Sequence, residues 1–539
     1  SYRRFMQEQL FNHVDIPPAN THVPEGEVSR AEVFAKCRAY EDAIRSAGGL
    51  DLQILGIGRT GHIGFNEPGS ARDSRTRLVT LDSLTRRDAA RDFLGEANVP
   101  RHAMTMGVGT ILEARRIVLL AWGEAKAAVI AQAVEGAPNE TLPASLLQDH
   151  PDVRFVVDAA AASELTRVRH PWLVAPVAWS PALIHRAVVW LARAVGKPVL
   201  KLVDEDYSEH GMAELVTEHG PAYGMNIRVF NALQHTITGW PGGKPAADDT
   251  HRPERAAPHP KRVVVFSPEP SDDVLGMGGT IRRLVDQGHE VTVAYQTSGN
   301  LAVPDEEALL ATDLVLDLTA SDRRSTAVGF AHDAQQQLGR KQAFDSDTPA
   351  IRKLKGLIRR SEARAALRLC GVRPERIRFL DLEFYERGRY RQFAIADADA
   401  GAIGSLLREL QPHQIFATGR LNDPTSVGAV CFELLRRACA GVKDETWWKD
   451  CRVWLYRPPD RDWPAAEVEM AVPLSPAELA NKIQAIYHHK SQRSQTPLAS
   501  GLHESWQQAE QHNRNLAGVY DQLGLANYEA IEAFQKWAE

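Results

Sequence analysis

Short apolar runs alternate along the chain with longer stretches of helical spacing. Residues 51–58 (DLQILGIG) are apolar and end in glycine, which predicts a buried strand running into a loop. RRIVLLAW at 115–122 and VRFVVD at 153–158 predict two further buried strands, and the stretches 82–94 and 124–135 have helical spacing. Alternation of this kind predicts α/β architecture with a mostly parallel sheet. Helical patterns return at 181–196 and 213–220. TGWPGGKP at 238–245 and the polar stretch after it have no apolar period, so the chain is expected to pass there from one domain to the next. RVVVFSP opens a new strand at 262, the glycines of GMGGT at 276–280 are expected to turn the chain into a helix, and EVTVAYQT at 290–297 is the next strand. That is a βαβ start, so the second domain also reads as α/β. A basic helix is expected over 351–369, strands over 376–382 and 413–418, and an amphipathic helical tail over 502–539. The expectation is two α/β domains with mostly parallel sheets. Residues 1–165 form the first, 166–260 a connecting region and linker, and 261–539 the second.

Composition narrows the function classes. Of 539 residues, 44% are apolar and 24% charged, which is ordinary for a soluble globular protein. No run of about 18 uncharged apolar residues appears, so no membrane partner is expected. The formal net charge of −6 argues against a nucleic-acid partner. The tryptophans at 447, 448, 454 and 463 are therefore read as packing groups rather than base-stacking platforms. Five scattered cysteines (37, 370, 431, 439, 451) with no C-x-x-C suit a reducing compartment, and a cytoplasmic location is expected. The opening, SYRRFM, reads as part of a helix without a cap, as if the chain started inside a larger domain.

Two loops carry candidate chemistry. The first, GIGRTGHIGFNEPG at 56–69, follows a predicted strand, at the edge where α/β sheets bind ligands. Its glycines permit a tight turn and close approach of a ligand to the backbone. His62 is a proton-transfer candidate because its unperturbed pKa lies near neutrality and Glu67 is placed to orient it. The alternative is a loop histidine that caps a backbone carbonyl. The second loop, SPEPSDDVLGMGGT at 267–280, puts acidic and hydroxyl side chains at another strand end. They suit either a metal site or the polar N-terminus of a helix.

The first loop resembles the signature of glucosamine-6-phosphate deaminases, G-x-G-x-D-G-H-I-A-F-N-E-P. The likeness continues through Ser74-Arg75-Thr76-Arg77, TMGVGT at 105–110 and AVEG at 133–136. The family converts glucosamine 6-phosphate to fructose 6-phosphate and ammonia. The resemblance implies that His62 assists ring opening, that Glu67 orients it, and that Arg91 and Lys126 hold the substrate phosphate. A planar guanidinium fork and a point charge both suit a phosphate. On residue pattern alone, Arg91 and Lys126 would read as solvated helix surface. Thr60 stands where the family has Asp, and a hydroxyl supplies no negative charge to the histidine. The family's phosphate loop and its enolising Asp lie upstream of the matched stretch, so the first domain is expected to hold half a site.

The second loop resembles the first motif of PIG-L/LmbE-type zinc-dependent N-acetylglucosaminyl deacetylases, H-P-D-D-D or H-P-D-D-E. RRSEAR at 359–364 supports the likeness. Glu269 occupies the family's histidine position, Ser271 that of the general base, and Asp272 alone keeps its identity. The second motif falls on 422–428 (NDPTSVG) and has no histidine. Zinc is therefore not expected, and no other cofactor is expected. Together the resemblances imply amino-sugar phosphate metabolism, a small-molecule amino-sugar phosphate as partner, and a homo-oligomer. The rival expectation is a catalytically inactive protein that binds a sugar phosphate or regulates a partner.

Overall fold

The structure is a computed structural model that describes residues 2–26, 28–89, 93, 99–318, 326–342, 345–387, 395–419, 426–459, 463–493 and 504–537. The chain divides into two compact units, Ser1–Ala175 and Pro176–Glu539.

The first unit is built on a three-stranded parallel sheet. Its strands are β1 (Gln53–Gly56), β4 (Ile117–Ala121) and β5 (Val153–Val157), in the order β1-β4-β5. β2 (Arg77–Thr80) and β3 (His102–Thr105) form a separate antiparallel pair. The alternating side chains Leu55, Ile117, Leu119 and Ala121 enter a core with Ile63, Ile130 and Leu147. The other face is left partly bare, with Ile54 58% exposed. Since β1 and β4 are parallel neighbours with Gly56 opposite Leu120, the segments following them leave from one sheet edge.

The second unit holds a seven-stranded mixed sheet. Its strands are β6 (Arg262–Ser267), β7 (Glu290–Tyr295), β8 (Ile377–Phe379), β9 (Gln414–Thr418), β10 (Arg452–Tyr456), β11 (Met470–Leu474) and β12 (Ala530–Lys536). The order is β11-β12-β10-β9-β6-β7-β8. β8, β7, β6, β9 and β10 are parallel, while β12 runs antiparallel to both β10 and β11. β6, β7 and β9 are buried on both faces, which explains their unbroken apolar runs. Strand order reverses between β6 and β9, and α/β sheets receive ligands at such a switch point. The second candidate loop follows β6 there.

Three sequence expectations are corrected. GMGGT does not open a helix: the helix Asp272–Asp286 starts four residues earlier and passes through it with a kink at Met277. These glycines serve close packing instead. A Cβ at Gly276 would lie 2.3 Å from the Tyr456 ring, and one at Gly279 2.6 Å from Leu474. Among the described residues the tail is helical over Ser505–Gln522; beyond Gly524 it extends as β12, buried at every position from Ala530 to Phe534. Of residues 166–260, expected as a connecting region and linker, 166–175 lie in the first unit and 176–260 in the second. Ser180 caps the helix Pro181–Val195, and Thr238 donates its backbone N–H to Ala471 in β11. The helix expected over 82–94 is present as Ser83–Ala89; residues 90–92 and 94–98 lie outside the described residues. All five cysteines are buried and free. Among the described residues, no helix is long and apolar enough to cross a membrane.

Candidate functional site

The 56–69 loop folds back on itself as soon as it leaves β1. Ile57 and Ile63 form an antiparallel bridge, Gly58 N donates to His62 O at 2.9 Å, and Gly61, at φ +80°, makes the turn. The His62 ring lies flat against Gly58, where a Cβ would stand 2.1 Å from Cε1. Ile63, fully buried, pins the loop to the core. Asn66, also fully buried, donates to Ile63 O at 2.9 Å and to Met106 O at 2.8 Å, and accepts from Arg77 at 2.8 Å. Phe65 N donates to the Thr105 hydroxyl at 3.0 Å.

This frame gathers three oxygen-bearing side chains around one nitrogen of His62. Nδ1 lies 2.9 Å from Thr60 Oγ1, 3.2 Å from Glu67 Oε2 and 3.2 Å from Thr85 Oγ1. Thr60 donates its hydroxyl to Glu67 Oε2 at 3.1 Å, and Asp82 N donates to Oε1 at 3.2 Å. Burial opposes charge on Glu67, but the hydrogen bonds from His62, Thr85 and Asp82 N outweigh it and hold the carboxyl below its ordinary range. A charged Glu67 directs the imidazole proton to Nδ1, leaving the lone pair of Nε2 for a substrate. Thr60, the apparent defect of the motif, thus bridges His62 and Glu67.

Lys126 ends the short turn Glu124–Lys126 after β4. Gly123, at φ +85°, opens that turn and donates its N–H to Asp158 at 3.1 Å. Lys126 is half-buried and shares a sheet edge with the His62 loop. Arg91 lies outside the described residues. Thr85, Asn66 and Arg77 were missed as supports. Thr85 is hidden in an ordinary helical pattern, and no spacing ties it to residue 62.

In the second unit the 267–273 segment is held as a turn. Glu269 N donates to Asp272 Oδ2 at 3.1 Å, and Asp272 N donates to Glu269 O at 3.2 Å. Tyr385 donates its hydroxyl to Glu269 Oε1 at 3.0 Å. Asp273, fully buried, is pushed up by burial; Tyr295 donates to it at 2.9 Å, and the Ser267 hydroxyl meets its N–H at 3.2 Å. Ser271 is buried at φ +120°, a conformation that costs a non-glycine residue about 1–3 kcal/mol. The buried Arg359 holds it there through Pro270 O and, at 3.2 Å, Ser271 Oγ. The two loop carboxylates are thus engaged in closing the turn and in the Tyr385 contact. Of 422–428, only Ser426, Val427 and Gly428 are described, and Ser426 caps the helix Val427–Ala440. Among the described residues, no group of three or more His, Cys, Asp or Glu side chains is arranged to hold a metal ion.

The family models match the two units separately. Residues 1–156 match the family model of glucosamine-6-phosphate isomerases/6-phosphogluconolactonase, and residues 264–427 that of GlcNAc-PI de-N-acetylase. A glucosamine-6-phosphate deaminase-like protein of Bacteroides thetaiotaomicron is 47% identical over 538 residues, covering 99% of this chain and 81% of the relative. The glucosamine-6-phosphate deaminase of Hahella chejuensis is 55% identical over 165 residues, which are 31% of this chain and 62% of that enzyme. Among solved structures, a monomeric glucosamine-6-phosphate deaminase aligns at 45% identity over 30% of this chain and 67% of its own, with a TM-score of 0.30. N,N'-diacetylchitobiose deacetylase from Pyrococcus horikoshii aligns at 20% identity over 51% and 84%, with a TM-score of 0.32.

Proposed function

The chain belongs to the glucosamine-6-phosphate deaminase-like family that joins a deaminase-type to a deacetylase-type domain, and from that premise we propose that its first unit opens the ring of an amino-sugar phosphate. The observation that carries this reading is the triple contact at His62 Nδ1. With Nδ1 held by Glu67 and Thr60, Nε2 takes the proton of the anomeric hydroxyl and returns it to the ring oxygen as the carbon–oxygen bond breaks. General acid–base groups of this kind contribute about 10²–10⁴-fold. Lys126, and Arg91 with it, bind the phosphate. The later steps, loss of the carbon-2 proton and release of ammonia, need a base other than His62 and Glu67. In this reading the overall reaction is the family's conversion of glucosamine 6-phosphate to fructose 6-phosphate and ammonia.

The second unit works without zinc in this proposal. Zinc sites are built from His, Cys and carboxylate in a tetrahedral set. The donor set at Glu269, Ser271 and Asp272 has no histidine, and its serine hydroxyl accepts from Arg359. It does not fit the metal. This favours a secondary reading in which the second unit serves binding or regulation.

The test of the first reading is calorimetry with glucosamine 6-phosphate. Wild type binds with an affinity that falls with salt, because phosphate contacts at a partly exposed site are screened. Lys126→Ala weakens binding about tenfold or more. Equal affinities would remove Lys126 from the site. Metal analysis after purification without chelator tests the second: stoichiometric zinc lost on Asp272→Ala would overturn it.

A further inference from the structure

Residues 237–256, which read in the sequence as a joint, build a pocket inside the second unit. Ile237 pairs with Ala471 of β11, and the chain then reverses at Gly243, whose φ is +87° and where a Cβ would lie 1.9 Å from Arg255 O. The pocket has a volume of 220 Å³, about seven times the ~30 Å³ share of one liquid water. That is below the roughly 300–1,000 Å³ of sites for drug-sized ligands, so the occupant is smaller than those.

One side chain points to what that occupant is. Glu254 lines the pocket and is 7% exposed. Its Oε1 accepts the Thr238 hydroxyl at 2.7 Å, whereas Oε2 is buried without a hydrogen-bond partner among the described residues. A buried carboxylate oxygen left unpaired carries its full desolvation cost, so Oε2 calls for a donor from outside the chain. Asp249 lines the same pocket and spends Oδ2 on Ala256 N. The cations lining it, Lys244 and Arg252, are exposed, and Arg252 gives one nitrogen to Ile237 O at 2.8 Å. Ile237 and the half-buried Trp240 complete the wall, and an indole face also attracts a cation. Glu254 is therefore deep and Asp249 half-buried, while Lys244 and Arg252 sit at the rim beside Asp248, whose Oδ1 is taken by the Thr250 N–H and hydroxyl.

We propose that this pocket binds a small zwitterion, with its ammonium group on Glu254 and Asp249 and its carboxylate or phosphate on Lys244 and Arg252. The site belongs to the second unit and does not depend on the reaction assigned to His62. Burial raises the Glu254 carboxyl above its ordinary range, and an ammonium partner would reverse that.

Calorimetry on the full chain tests the proposal with two zwitterions, L-glutamate and O-phosphoethanolamine. The tighter of the two distinguishes an amino-acid from a phosphoamine ligand. Ethanolamine and inorganic phosphate each supply half of the recognition and should bind about tenfold more weakly or worse. Glu254→Gln keeps the side-chain shape and should weaken zwitterion binding about ten- to hundred-fold. Lys244→Ala changes an exposed position, leaves the fold intact, and should weaken it several-fold, so it decides the matter should the buried variant not fold. No binding of either zwitterion at millimolar concentration overturns the proposal. So do affinities unchanged in both variants, or a crystal structure grown with the zwitterion in which Glu254 Oε2 meets only water.

Discussion

Gly58→Ala separates the chemistry of the first unit from its stability. Gly58 does not lie in the left-handed region, so alanine fits its backbone. The added methyl would meet the His62 ring at 2.1 Å from Cε1, 2.3 Å from Nδ1 and 2.4 Å from Nε2. Carbon contacts settle near 3.5–4.0 Å, so the ring must retreat by about 1.5 Å. That displacement breaks contacts of 2.9–3.2 Å at Nδ1. Losing a hydrogen bond to a charged group costs about 1.5–3 kcal/mol, or roughly ten- to hundred-fold in rate. Folding should suffer less, by about 1 kcal/mol, because His62 and Glu67 are both partly exposed and exchange these hydrogen bonds for water. Gly61→Ala is the contrasting variant. Its φ of +80° strains any side chain and its Cβ would lie 2.1 Å from Leu142 Cδ1, so stability falls first, by about 1–3 kcal/mol from the backbone alone. Urea midpoints measure the folding cost. Exchange between the anomers of glucosamine 6-phosphate, followed by saturation-transfer NMR, measures ring opening. A Gly58→Ala protein that keeps its exchange rate within twofold, with the His62 ring resonances unmoved, would refute the reasoning.

Other expectations follow from single contacts. Asn66→Ala removes three hydrogen bonds made by a fully buried amide and should cost the first unit about 2–4 kcal/mol in urea unfolding; a loss under 1 kcal/mol would mean that the loop does not hang on Asn66. Lys482 and Glu532 form a fully buried ion pair at 2.7 Å, so Lys482→Met should destabilise the second unit by about 3–5 kcal/mol, with part recovered on adding Glu532→Gln. Glu67 has a folded-state pKa below its ordinary 4.5. Its contribution to stability is complete above that value and is lost as pH falls through the lower folded one, so Glu67→Gln should flatten the acid limb of the stability curve.

How far the sequence reveals this protein depends on whether a signal is local. β1, β4, β5, β6, β7 and β9 lie within apolar runs that no helix period explains. The runs over-predict burial in the first sheet: parallel strands are ordinarily covered on both faces, yet Ile54 and Val156 are exposed. β12 was masked because it follows an amphipathic helix and carries the charged Glu532, whose partner, Lys482, is 50 residues away in sequence. The GMGGT glycines look like a turn because glycine marks turns and close packing alike, and only Tyr456 and Leu474 decide between them. His62 and Glu67 are legible from the loop alone. Thr85 is not, since it reaches His62 through the fold, and the role of Thr60 emerges only when its hydroxyl is seen between imidazole and carboxylate. The pocket around Glu254 was invisible because a stretch without apolar period reads as a linker, whatever its backbone encloses.

The most direct test of the central claim is anomer exchange of glucosamine 6-phosphate in wild type and His62→Gln, because ring opening needs His62 and its partners but no base at carbon 2. Wild type should speed exchange over buffer, and His62→Gln should lose about 10²–10⁴-fold of that acceleration while still binding the sugar phosphate. An exchange rate no faster than buffer, or one equal in the two proteins, would contradict the account.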